Sequence, residues 1–207
     1  MKMFVSNKRE TPRMFKNDIA EILSHVHWSV PLLVFLPIIT AFVVYSASYY
    51  KYGSMDIVFL GVLGLIFWTF TEYVLHRFVF HYHPKSEWGK RYHWMFHGVH
   101  HDYPSDPLRL VMVPSISLPL SALFYFLFVA VLGYASAAPF TAGFLVGYLV
   151  YDMTHYAVHH FPIKGRVFGR LREWHMRHHF QNSEAGYGVS SPLWDIVFRT
   201  ELQRTKT

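Results

Sequence analysis

Ten of the 15 histidines in this 207-residue chain fall into four short clusters. They are HRFVFH (His76 and His81), HGVHH (His97, His100 and His101), HYAVH (His155 and His159) and HMRHH (His175, His178 and His179). Spacings of three and four bring side chains to one face of a helix. The second, third and fourth clusters therefore each aim their imidazoles in one direction. An offset of five turns about 140° around an ideal helix. His81 is thus expected where a helix ends or distorts, facing the shared site from another direction. One metal takes about four to six donors, so ten candidates suit two metals. The chain has no cysteine. That removes thiolate sites, disulfides and iron–sulfur clusters, and leaves imidazole to carry any metal chemistry.

Imidazole binds iron, zinc, copper and nickel, so the ligands alone leave the metal open. A structural zinc site closes with four ligands, which ten histidines exceed. Breaking an unactivated C–H bond with O2 needs a metal that changes oxidation state. An oxidising enzyme therefore calls for iron, although zinc competes well for nitrogen donors in a preparation. Carboxylates are few. Glu72 lies four residues before His76, and Asp152 three before His155. Both are expected to accept the ring N–H of a ligand histidine and fix its tautomer. The bland alternative is an interfacial hydrogen bond or ion pair. Asp102 and Asp106 read as loop caps or partners for Arg109. His93 is expected to support the second cluster, and His160 to point away. His83, His25 and His27 read as interfacial or solvent-facing.

These clusters need elements to position them. Just over half of the chain is hydrophobic and only 15% is charged, well below the roughly 25% of a soluble domain. Uncharged runs cover Val30 to Tyr50, Ile57 to Thr71 (with the pattern continuing to Leu75), Leu110 to Tyr134 and Ala135 to Tyr151. Each approaches or reaches the roughly 20 residues of a membrane crossing. The expected fold is an all-α integral membrane protein. Four transmembrane helices form two hairpins, and a cytoplasmic helical cap holds a His-rich dimetal site. The hairpins turn near Lys51 and over Gly133 to Pro139. Residues 1–27 form a cytoplasmic N-terminal segment and 28–207 a single membrane-embedded domain. Five Lys or Arg precede the first span, five lie in the Arg77–Arg109 loop, eight follow His160, and the turns carry only Lys51. Positive charge gathers on the cytoplasmic side, so both termini, the central loop and every histidine face the cytoplasm. Lys8 to Ser24 reads equally as an amphipathic helix on the membrane surface or a basic tail. The net charge of +6 follows from this topology and carries no nucleic-acid role.

A site at the cytoplasmic ends of apolar helices predicts a lipid substrate entering from the bilayer. Trp68, Phe70, Tyr73, Tyr148 and Tyr151 are candidates for lining that entry, and equally for plain packing. A metal transporter or sensor would place its ligands near mid-membrane. A bis-histidine haem protein would leave eight of the ten unused.

The segments HGVHHDYPSDPLRLVMVP, GYLVYDMTHYAVHH and HMRHHFQNSEAGYGVSSPLWDIVFRT resemble the fatty acid hydroxylase and sterol desaturase superfamily, within it the fatty acid 2-hydroxylase branch. The resemblance runs from about Ser29 to Thr200. It implies an O2-dependent enzyme of the endoplasmic reticulum or a bacterial inner membrane. That enzyme would add a hydroxyl at carbon 2 of a fatty acid or sphingolipid acyl chain. It carries the ligand role onto His76, His81, His97, His100, His101, His155, His159, His175, His178 and His179, with two irons between them. Many relatives carry a cytochrome b5 domain with an HPGG motif, which this sequence lacks. A separate donor such as cytochrome b5, or a ferredoxin with its reductase, is implied. The alternative within the superfamily is oxidation of a sterol or carotenoid.

Overall fold

The computed structural model describes residues 4–202, which are helical or irregular with no strand among them. The helices are α1 (Asp18–Leu23), α2 (Val30–Ser48), α3 (Ser54–Val74), α4 (Glu87–His93), α5 (Val99–Asp102), α6 (Pro114–His160), α7 (Phe168–Phe180) and α8 (Leu193–Phe198). Two π-helical segments interrupt the series. Leu75–Phe80 continues α3, and Trp94–Gly98 joins α4 to α5.

Three stretches are long and apolar enough to cross a membrane: Val30–Ser48, Ser54–Phe80 and Pro114–His160, with mean hydropathies of 2.2, 1.9 and 2.2. The last has 47 residues and would reach about 70 Å if straight. A hydrocarbon core is only about 30 Å thick. The helix breaks at Gly133, where φ is 75°, a conformation open to glycine at little cost. Its two halves then fold back on each other. The Phe128 ring lies 4.9 Å from Phe140 and 5.1 Å from Phe144, and Phe124 lies 5.0 Å from Phe144. The turn expected over Gly133 to Pro139 is therefore confined to Gly133, since Tyr134 to Pro139 are helical. The run expected to begin at Leu110 becomes helical only at Pro114, which suits proline's fixed φ.

The second half of α6 lies against α3. A Cβ at Gly143 would come within 1.8 Å of the Gly61 carbonyl oxygen, so the two backbones touch. Small residues permit such approach between apolar helices. α2 closes the bundle over a core of Phe35, Ile39, Trp68, Phe128, Phe144 and Tyr148. Leu33, Met55, Phe59, Phe126 and Val131 face outward and are exposed. Such surfaces belong in lipid rather than water.

The N-terminal segment is neither the long amphipathic helix nor the loose tail expected of Lys8 to Ser24. Only Asp18–Leu23 is helical, with Asn17 accepting the Ala20 N–H at 3.0 Å. The residues before it form a strap across the histidine-bearing face. Val5 and Ser6 donate N–H to the Asp102 carbonyl at 2.9 and 3.0 Å. The Thr11 hydroxyl donates to Asp106 at 2.7 Å. Arg109 bonds the Pro12 carbonyl and the Glu21 carboxylate. Its expected partner Asp106 stands farther off, at 3.8 Å.

Candidate metal centre

The π-helical segment explains the offset of five in the first cluster. The His81 N–H donates to the His76 carbonyl at 3.1 Å, a bond from i+5 to i that stacks residues five apart. The expected distortion is present, and it brings His81 to the same group of nitrogens as His76. The two rings stand together, with centroids 5.0 Å apart.

The ten clustered histidines assemble into two groups of five. One holds His76, His81, His97, His101 and His178, and the other His100, His155, His159, His175 and His179. Within each, one ring nitrogen per residue lies within 4.8 Å of all the others. The HxxHH clusters do not serve one site each, as a common face had implied. In both, the i and i+4 residues join one group and the i+3 residue joins the other. Adjacent residues differ by about 100° around a helix, so i+3 and i+4 diverge. α7 and the segment through α5 thereby contribute to both groups.

The converging atoms are Nε2. In the first group the Nε2 of His97 is 3.2 Å from that of His76, 3.2 Å from His81 and 3.0 Å from His101. His178 and His81 are 3.1 Å apart. In the second group, His155 and His100 are 2.9 Å apart, His159 and His175 2.8 Å, and His179 and His175 3.0 Å. Two rings show how their tautomers are set. His76 donates Nδ1–H to the Tyr187 carbonyl at 2.5 Å, and His178 to the Ala185 carbonyl at 2.8 Å. Each then turns a lone pair inward at Nε2. Lone pairs facing one another repel unless a cation sits between them, so this donor set fits a metal ion in each group. Burial holds His97, His100, His101, His175 and His179 well below the ordinary histidine value, and neighbouring imidazoles push the same way. Burial also lowers His178 to about 4. Neutral imidazole is the form that binds metal.

The remaining five histidines stand outside both groups. His93 Nε2 lies 2.5 Å from the Phe80 carbonyl and so supports the π-helical end that carries His81. His160 turns away to pack against Tyr156, 4.3 Å between centroids. His83 meets Glu184, His25 meets Glu21, and His27 meets Ser29.

The two carboxylates differ from expectation. Glu72 is buried, but its bonds go to the Val189 N–H at 2.7 Å, the Ser190 N–H at 2.8 Å and the Ser190 hydroxyl. It reaches the site indirectly, by pinning the loop whose Tyr187 carbonyl holds His76. Asp195 does the same from the other side, accepting the Tyr187 and Gly188 N–H groups at 2.9 and 2.7 Å. Asp152 is buried beside Tyr148 and the Met112 backbone, and no described imidazole donates to it. The 185–190 loop lies in a segment that carries the resemblance, but its role in orienting ligands was not foreseen from the sequence. Its contribution is made by backbone carbonyls, and the only signal was the GYGVSSPLWD stretch.

A cavity of about 390 Å³ opens beside both groups and is lined by His97, His100 and His155 together with apolar side chains such as Val99, Val111 and Ile116. That volume is typical of small-molecule sites. Tyr151 lines it and also a smaller space of about 30 Å³ that Trp68 and Tyr148 border among the apolar helices. Phe70 and Tyr73, the other proposed lining residues, pack instead on Trp194 and Phe198.

Comparison with known proteins follows the same lines. Residues 61–200 match the family described as fatty acid hydroxylase. The dihydroceramide fatty acyl 2-hydroxylase FAH1 of Arabidopsis thaliana is 41% identical over 96% of this chain and 83% of its own. The fatty acid 2-hydroxylase of Mus musculus is 37% identical over 91% of this chain and 56% of its own. A solved structure described as full-length scs7p, with only the hydroxylase domain visible, superposes with a TM-score of 0.84 at 37% identity. It covers 91% of this chain and 71% of that one.

Proposed function

The chain belongs to the fatty acid hydroxylase family, and from that membership we propose that it is a membrane enzyme adding a hydroxyl at carbon 2 of a fatty acid or sphingolipid acyl chain. The observation that carries the reading is the convergence of ten imidazoles in two groups beside an apolar cavity. The two groups hold two metal ions, iron in the active enzyme; zinc can occupy the same nitrogens in a preparation. When bound, the iron pair supplies the activation of O2 that C–H oxidation requires. The chain's own residues do the rest. The Tyr187 and Ala185 carbonyls keep the lone pairs of His76 and His178 turned inward. The apolar cavity walls keep water from the acyl chain and hold its carbon 2 near His97, His100 and His155.

The membrane arrangement that fits this chemistry has four crossings: α2, α3 with its π-helical extension, and the two halves of α6. Residues 28–207 form one hydroxylase domain, with 1–27 as a cytoplasmic segment. The distribution of Lys and Arg supports termini and histidines on the cytoplasmic side, in the endoplasmic reticulum or a bacterial inner membrane. Each turnover inserts one oxygen atom and reduces the other to water, so two electrons must arrive from a donor protein. A cytochrome b5, or a ferredoxin with its reductase, suits that role.

Mass spectrometry of lipids from expressing cells tests the reading. New 2-hydroxy acyl chains are expected. Hydroxyls on sterols or carotenoid rings, with none at the acyl 2-position, would refute it.

A further inference from the structure

The short helix α1 is amphipathic in the inverted sense. Ile19, Ile22 and Leu23, at i, i+3 and i+4, share its outer face and are 70%, 69% and 68% exposed. Its inner face carries Glu21, which is buried, and Ala20 and Ser24, which line the cavity beside the metal centre. A helix meeting water would be turned the other way. Leu23 is both exposed and part of the cavity wall, and so are Tyr92 and Phe96, at 42% and 57%. The cavity therefore has a mouth rimmed by exposed apolar side chains. Such a rim is costly in water and natural in lipid. Position agrees, because α1 ends at Leu23 and the first apolar helix starts at Val30. Just inside the rim, His97 follows Phe96 directly.

We propose that α1 lies in the cytoplasmic leaflet and that the gap between Leu23 and the Tyr92–Phe96 segment is the lateral portal through which acyl chains of membrane lipids reach the metal centre. One carboxylate holds the portal in shape. Glu21 accepts the Met14 and Phe15 N–H groups at 2.9 and 2.8 Å and pairs with Arg109, itself part of the cavity wall. The portal gives the proposed hydroxylation a membrane-resident substrate rather than a water-borne one, and so rests on that reading.

The chain has no cysteine, so Ile22→Cys creates a unique thiol for an environment-sensitive fluorophore in the full-length, metal-loaded protein. In phosphatidylcholine vesicles brominated on the upper acyl carbons, its emission should fall at least about twofold relative to unbrominated vesicles. Equal emission in both would overturn the proposal. In parallel, Leu23→Lys places a charge on the rim. The KM for a long-chain ceramide in vesicles should rise about tenfold, with kcat and bound metal within about twofold of the parent. An unchanged KM, or a joint loss of kcat and metal, would overturn it. If the parent chain makes no 2-hydroxy product, the enzymatic reading has failed, while the quenching experiment still decides whether α1 lies in the leaflet.

Discussion

In the first group of imidazoles, His76 and His178 are tied through Nδ1 to carbonyls of the 185–190 loop, the His76 tie spanning 111 residues of chain. In the second, the Nδ1 atoms of His155, His175 and His179 are equally buried but have no protein acceptor among the described residues. Its rings stand at the end of α6, on α7 and in α5, and those of His155, His175 and His179 are placed by their helices without a hydrogen bond at Nδ1. The two halves of one centre are thus built by different means. The first depends in part on hydrogen bonds from the 185–190 loop that orient two of its five rings, and the second more on local helical spacing and packing. The first group should therefore be sensitive to residues that touch no metal, and the second should respond only to loss of its own rings.

Removing a ligand tests both halves with the largest effect. His97→Ala deletes the ring that stands within 3.2 Å of His76, His81 and His101. Product should fall below detection and bound metal should drop by one ion per chain, as counted by elemental analysis. His178→Ala should behave alike, and normal turnover with full metal in both would remove the assignment. The next effect separates the halves. Glu72→Gln frees the loop without touching an imidazole. It should weaken metal binding at the first group by about 10- to 100-fold and leave the second unchanged, giving a two-step metal titration. Parallel weakening at both groups would erase the contrast. Asp195→Asn should act in the same direction and more weakly, because Glu72 still holds Val189 and Ser190. Asp152→Asn is the control. With no imidazole bonded to Asp152, metal retention should stay within about twofold, and a tenfold loss would show that the second group has a polar support after all. His160→Ala should do least, leaving metal content at the parent level.

The clustering of the ten histidines was legible because it shows in one residue type repeated at helical spacing. The offset of five marked the π-helical segment as an irregularity, although its hand in bringing His81 beside His76 needed the backbone. The division of each HxxHH cluster between two groups was hidden, since it depends on which helices cross near i+3 and which near i+4. Glu72 stood out by its depth in an apolar run, but spacing pointed to His76 while its bonds went to a distant loop. That loop was silent because any residue offers the same backbone carbonyl. The fold followed the same rule. Long apolar runs announced the membrane helices, and the fold-back of α6 came down to one glycine within a stretch that had read as a longer turn. The N-terminal strap was misjudged because its hold comes from single hydrogen bonds to residues near Asp102 and Arg109, which leave no periodic trace.

The central claim is that ten imidazoles divide into two groups of five and hold two ions. Metal analysis of the purified, fully loaded chain alongside its His97→Ala and Glu72→Gln variants tests it most directly. The account predicts two ions per chain in the parent, and one that is retained normally and one that is lost or weakly held in each variant. A single ion in the parent, or full and equally tight retention in all three, would contradict it.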